Sequence, residues 1–183
     1  KSLLSNFGPD LVGVKNFEIF GEKFPLLIKF IDAKEDLSVQ VHPNDALSKE
    51  RHNSFGKTEM WYIMQADEGS RLILGFNKEI TANEYVKLLE DKKIMDVLDR
   101  VAVKSGDAFF IETGKVHAIG AGIVLAEIQQ TSDITYRIYD FDRTDDQGNE
   151  RELHTELAVD ALNFSDKIDT VRNYDQSVND LHK

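Results

Sequence analysis

Every apolar run in this chain is short, and each is closed by a turn. The runs Phe24–Ile31, Leu37–His42, Glu59–Gln65, Arg71–Leu74, Val101–Val103, Asp107–Ile111, Ile123–Gln129 and Ile134–Phe141 are three to eight residues long. They are rich in Val, Ile, Phe and Tyr, whose branched or flat side chains suit a pleated, half-buried surface. Turn signals separate them: Pro43-Asn44-Asp45, Asp67-Glu68-Gly69, Ser105-Gly106-Asp107, Thr113-Gly114 and Gly120-Ala121-Gly122. Many strands at such spacing form a sandwich or a barrel. Two segments break the pattern. Thr81-Ala82-Asn83-Glu84 has the form of a capping box, with Tyr85, Leu88 and Leu89 at helical spacing behind it. A helical insertion is expected over roughly 82–99, outside the strands and free of metal ligands, and a shorter helix over Thr155–Leu162. The expected class is therefore all-β with a helical insertion.

Composition removes several functions. No stretch approaches the roughly 20 apolar residues that span a bilayer, and the longest, Phe24–Ile31, contains Lys29. With 33 acidic against 22 basic residues, a net charge of −11 and a pI near 4.9, the chain repels a phosphate backbone, so no nucleic-acid partner is expected. The absence of cysteine excludes disulfides, thiolate metal sites and cysteine nucleophiles. Any metal must be held by His, carboxylate or amide groups. The sequence opens at Lys1 with no charged segment leading into an apolar one, so no signal peptide is visible. Ser2-Leu3-Leu4 reads as the interior of a longer, cytoplasmic protein. Residues 1–163 read as one domain and 164–183 as a polar tail or the start of a linker.

The polar residues of the strands are not scattered. Along Leu37–His42, Leu37, Val39 and Val41 share one face and Ser38, Gln40 and His42 the other. A wholly polar strand face is either a solvated edge or the lining of a polar interior. In Lys57-Thr58-Glu59-Met60-Trp61, a cation, a carboxylate and the single Trp share a face, which is either a solvated ion pair or a pocket wall. His117 follows the strand 107–111 and its Gly114 turn. A lone His is usually structural, but His42, Glu59 and His117 sit on or beside three separate strands. Two imidazoles and one carboxylate suit zinc or another divalent first-row ion, with room for the Gln40 amide.

Four of these segments carry a resemblance. Gly106–His117 resembles the second cupin motif, with Glu112 where Pro is usual. Gln40-Val41-His42-Pro43, Gly56-Lys57-Thr58-Glu59-Met60-Trp61-Tyr62, His117-Ala118-Ile119 and Glu127-Ile128-Gln129-Gln130-Thr131 through Arg137 resemble, in that order, the type I mannose-6-phosphate isomerases in their short bacterial form. The resemblance runs from about Phe24 to Leu162. It implies a cupin (jelly-roll) β-barrel and one Zn2+ per chain, with His42, Glu59, His117 and Gln40 as ligands. It implies catalytic roles for Arg137, Glu127 and Lys57, a phosphorylated hexose as substrate, and Lys29 and Ser38 near its phosphate. It leaves oligomeric state open. The family's early Gly/Trp-rich strand region and its further C-terminal cupin-like domain are missing from this sequence.

The implied reaction is aldose–ketose isomerisation of mannose 6-phosphate and fructose 6-phosphate through a cis-enediol. It needs an acid/base near C1 and C2 and a Lewis acid for the developing charge. Glu127, Lys57 and a metal-bound water are the three groups the sequence offers for the proton. Two other readings are a sugar-binding or regulatory cupin without turnover, and a cupin oxygenase with redox iron.

Overall fold

The computed structural model describes residues 3–165. Two helices lead, α1 (Leu3–Val12) and α2 (Val14–Phe20), followed by β1 (Leu26–Ala33), β2 (Val39–Val41) and α3 (Asp45–His52). Then come β3 (Glu59–Ala66), β4 (Arg71–Phe76), α4 (Ala82–Glu90), β5 (Leu98–Ala102), β6 (Ala108–Ile111), β7 (His117–Ile119), β8 (Ile123–Gln130), β9 (Tyr136–Tyr139) and α5 (Thr155–Ala161). The strands form two antiparallel sheets, ordered β1-β8-β3-β6 and β5-β4-β7-β2-β9. All eight apolar runs read from the sequence overlap a strand, and the remaining strand, β7, falls outside them.

Alternation decides what each face meets. In β8 the residues Ile123, Leu125, Glu127 and Gln129 are buried and their neighbours half-buried. In β2, Val39 and Val41 are fully buried on one side and Gln40 faces the other. Between the sheets lies one apolar cluster, with Trp61, Ile63, Leu72, Leu74, Phe109, Ile111 and Leu125 among its members. A second lies on the outer face of the second sheet. There Val39, Val41, Phe76, Tyr136 and Ile138 pack with Tyr85 of α4, Ile94 and Val97 of a short 3₁₀ turn and Ala158 of α5. The helical segment 82–97 is thus a cover over that face, held by the expected capping box between Thr81 and Glu84.

The structure departs from the sequence expectations in four places. The described residues are mostly β but include five α-helices, and the sequence expectations contain no counterpart of α1, α2 and α3. Pro43-Asn44-Asp45 is not a turn between strands: Asn44 caps α3, its side chain accepting from Leu47 N at 2.9 Å. Turns and N-caps use the same short polar residues for the same reason, a side-chain oxygen satisfying a free N–H. The helix expected to run to about 99 ends at Glu90. Lys92 takes a positive φ of 54°, and Leu98 already belongs to β5. Finally, the expected barrel is not closed among the described residues. The two sheets share no strand pairing, so the outer strands β1, β6, β5 and β9 remain edges. The tail expected over 164–183 lies outside the described residues beyond Ser165; Phe164 itself stacks on Phe76 at 6.0 Å.

If Asn44 is a helix cap, Asn44→Ala should lower unfolding free energy by about 1 kcal/mol, whereas Asn44→Ser or Asn44→Asp should be nearly neutral. Urea unfolding of the three variants checks this; equal behaviour of Ala and Ser would contradict it.

Candidate metal site and the cleft beside it

Two cross-strand rows face each other between the sheets. In the first sheet, register aligns Lys29, Glu127, Trp61 and Phe109 across β1, β8, β3 and β6. In the second it aligns Arg137, Gln40, His117 and Leu74 across β9, β2, β7 and β4. Each row begins apolar, passes through hydrogen-bonding groups and ends in a cation. The rows meet where the rings of Trp61 and His117 make an edge contact at 5.4 Å. Period-two alternation puts all eight side chains into the inter-sheet space.

At that meeting point His42, Glu59 and His117 converge, all buried. His117 Nε2 lies 3.2 Å from His42 Nε2 and 3.8 Å from Glu59 Oε2, and His42 Nε2 lies 3.3 Å from Glu59 Oε1. Bonds of about 2.0–2.1 Å around a tetrahedral ion would set ligand atoms roughly 3.3 Å apart, so the spacing is that of a coordination shell.

The hydrogen bonds give the stronger test. His42 Nδ1–H donates to Ile134 O at 3.0 Å, and His117 Nδ1–H donates to Lys115 O at 2.8 Å. Both main-chain carbonyls can only accept, which assigns the neutral tautomer with its proton on Nδ1. Burial lowers the pKa of both rings, that of His42 to about 4. Each Nε2 therefore presents a lone pair to the other and to a carboxylate. Burial pushes Glu59 upward, but contacts with His42, His117 and Lys57 outweigh it and hold the group well below the usual carboxylate range. Glu59 Oε1 lacks a hydrogen-bond donor, although Lys57 Nζ approaches to 3.3 Å. Three converging lone-pair donors with no proton among them fit a divalent cation.

Around this cluster the side chains are tied down. Trp61 Nε1–H is shared between Glu59 Oε2 at 3.0 Å and Glu127 Oε2 at 3.1 Å. Lys29 Nζ donates to Glu127 Oε1 at 2.9 Å and to Gln129 Oε1 at 2.5 Å. Gln40 Nε2–H donates to His117 Nε2 at 3.3 Å. Next to Gln40 opens a cleft of about 430 Å³ whose lining includes Ser38, Thr135, Arg137 and Arg151. Arg137 Nε donates to Ser38 Oγ at 3.4 Å and its terminal nitrogen to Glu152 O at 2.8 Å. Burial and then the positive charge of Arg151 lower its pKa.

Of the residues singled out in the sequence, the structure gathers His42, Glu59, His117, Gln40 and Lys57 at the cluster and Ser38 with Arg137 in the cleft. Lys29 meets Glu127 on the opposite sheet. The coupling role of Trp61 was not read, although its position two residues after Glu59 carried the signal. Gln129 was visible as the inward neighbour of Glu127 in β8. Arg151 lies in a loop with no periodicity, and nothing local to it pointed to the cleft.

Known proteins resemble this chain in sequence and in fold. A family model described as "Phosphomannose isomerase type I, catalytic domain" matches residues 9–68. "Mannose-6-phosphate isomerase" of Streptococcus mutans serotype c is 46% identical over 149 residues, 79% of this chain and 47% of that protein. The chain is related to the type I phosphomannose isomerases. It spans about half the length of the curated relatives it matches. The crystal structure of the mannose 6-phosphate isomerase from Bacillus subtilis superposes with a TM-score of 0.77 at 38% identity, covering 84% of this chain and 50% of that one. A zinc-bound mannose 6-phosphate isomerase structure shares the fold with a TM-score of 0.67 at 15% identity, over 90% of this chain and 60% of that one.

The site predicts metal binding directly. One divalent first-row ion should bind per chain, and His117→Ala or Glu59→Gln should each weaken it at least about 100-fold. Trp61→Phe, which keeps bulk but removes the shared donor, should weaken it about 10- to 100-fold. At a free metal concentration 100 times Kd, the ion should stabilise the fold by about 2.7 kcal/mol. Equilibrium dialysis and thermal unfolding with and without chelator measure both. A protein that binds no ion with all three ligands intact would refute the site.

Proposed function

We propose that the protein is a zinc-dependent aldose–ketose isomerase that interconverts mannose 6-phosphate and fructose 6-phosphate. The observation that carries this reading is the buried His42–Glu59–His117 cluster, all lone pairs, adjoining through Gln40 the cleft of Arg137. Kinship with the phosphomannose isomerases supports the substrate. In this reading the two sheets belong to a cupin jelly roll, residues 1–163 form its metal-binding domain, and the protein works in the cytoplasm.

His42, Glu59 and His117 would hold the zinc, with Gln40 as the amide ligand. Bound there, zinc would supply Lewis-acid polarisation of the sugar oxygens without redox chemistry. The rest is done by the chain. Isomerisation moves one proton from C2 to C1 of the aldose and another from O2 to O1, through a cis-enediol. Lys57 and Glu127 are the groups proposed to carry the carbon-bound proton. Trp61 and Lys29 hold both Glu127 oxygens, which fixes the carboxylate's direction. The planar fork of Arg137 meets the charge that develops on the enediol oxygens, an interaction stronger in the transition state than in the ground state. Ser38 and Lys29 lie toward the sugar's phosphate.

A coupled assay of mannose 6-phosphate to fructose 6-phosphate conversion tests this. Turnover should vanish with chelator and return with zinc; zinc-loaded protein without turnover would leave a binding module instead. Arg137→Ala should lower kcat/KM at least about 100-fold, roughly 2.7 kcal/mol, with zinc content near that of the unaltered protein. Loss of zinc in that variant would show that Arg137 supports the metal and not the sugar.

A further inference from the structure

The loop between β9 and α5 delivers a second guanidinium to the cleft. Asp145 folds the loop back on itself, its Oδ1 accepting from Gln147 N and Asn149 N at 2.9 Å each, and Thr144 pairs with Glu150. The returning strand of the loop is then tied to one residue. Arg137 donates from its side chain to Glu152 O at 2.8 Å and from its backbone to His154 Nδ1 at 3.1 Å, and accepts from His154 N at 2.7 Å. Arg151 immediately precedes this clamp and lines the cleft with Arg137 and Ser38. Its recorded ion-pair contact is a long one, 3.7 Å to Asp140 Oδ1, and Asp140 already pairs with Arg143. The cleft lining thus holds two guanidinium groups and one exposed carboxylate, Asp133, while the charges of Asp140 and Glu152 act on Arg137 from outside the lining. In a protein of net charge −11 two guanidinium groups lining one small cleft stand out from the rest of the surface.

Distance orders the cleft. Gln40 touches the metal cluster, Arg137 is its register neighbour on β9, and Arg151 lies beyond on the loop clamped to β9. Adjacent strands are about 4.7–4.9 Å apart, so the register position of Arg137 lies two strand spacings, about 9–10 Å, from that of His117, and Arg151 lies farther out. That is room for a short polyol chain between an oxygen-binding end and an anion-binding end. Resting on the isomerase reading above, we propose that Arg151, with Ser38, receives the phosphoryl group of the substrate and selects phosphorylated over free sugars. Arg137 stands between this pocket and the reacting carbons.

Calorimetric titration of the zinc-loaded full chain with mannitol 6-phosphate, an unreactive open-chain hexitol phosphate, tests the proposal. Arg151→Ala should weaken binding about tenfold or more, Arg151→Lys less and Arg151→Glu more, in the order of charge. The unaltered protein's affinity should fall more steeply with salt than that of Arg151→Ala. A purely structural role would move neither the charge order nor the salt slope. If Arg151→Ala is poorly folded, the comparison of Arg151→Lys with Arg151→Glu decides. An unaltered protein that binds the probe while the Arg151 variants bind equally tightly overturns the role of Arg151 alone. An unaltered protein that binds neither mannitol 6-phosphate nor mannose 6-phosphate overturns the isomerase reading along with it.

Discussion

The structure turns on two imidazole lone pairs held 3.2 Å apart beside a buried carboxylate. Left alone this arrangement is unfavourable. Each nitrogen faces another acceptor in a buried region. The Gln40 amide nitrogen lies 3.3 Å from His117 Nε2, and Glu59 Oε1 is left without a donor; a buried acceptor without a donor costs roughly 1–3 kcal/mol. The fold imposes it nevertheless, because Ile134 O and Lys115 O take the only ring protons available. Those carbonyls belong to the segments just before β9 and β7, so the tautomers follow from the chain path. A cation resolves the conflict and converts a local destabilisation into affinity.

Everything around the cluster narrows what it can do. Trp61 gives one N–H to two carboxylates, and so fixes Glu59 relative to Glu127. Lys29 takes the remaining Glu127 oxygen and ties it to Gln129. Across the gap, Gln40 links the cluster to the cleft where Arg137 is held by Ser38, Glu152 and His154. The two cross-strand rows change together, from Phe109 and Leu74 at the apolar side to Lys29 and Arg137 at the cationic side. The apolar end supplies the packing that holds both sheets in place. The polar end is therefore free to carry groups that add little stability themselves.

The helices divide the work differently. α4 and α5 cover the outer face of the second sheet, so β2, β7 and β9, which carry Gln40, His117 and Arg137, are backed by a packed layer. Among the described residues the outer face of the first sheet has no such layer: Ile28, Phe30, Tyr62 and Met64 are exposed there. The strands carrying Gln40, His117 and Arg137 are thus packed on both faces, whereas those carrying Glu59, Trp61 and Lys29 expose apolar side chains on the outer one.

Much of this was legible in the sequence. The alternation in Leu37–His42 and Glu59–Trp61 set which side chains share a face, because a strand's period of two is a local property. The His42 tautomer, the facing of the two lone pairs and the sharing of the indole proton with Glu127 were not legible, since they depend on partners 92, 75 and 66 residues away; the His117 tautomer is set locally, by Lys115 O two residues before it. The helix at Asn44 was hidden because caps and turns draw on the same residues. Local sequence thus determined the strands, their polar faces and the candidate ligands. Only the tertiary structure decided that His42, Glu59 and His117 meet, that the sheets stay open at their edges, and that Arg151 joins Arg137. Pairing between distant strands and the return of a loop follow from the packing of the whole chain, and no short window of sequence contains them.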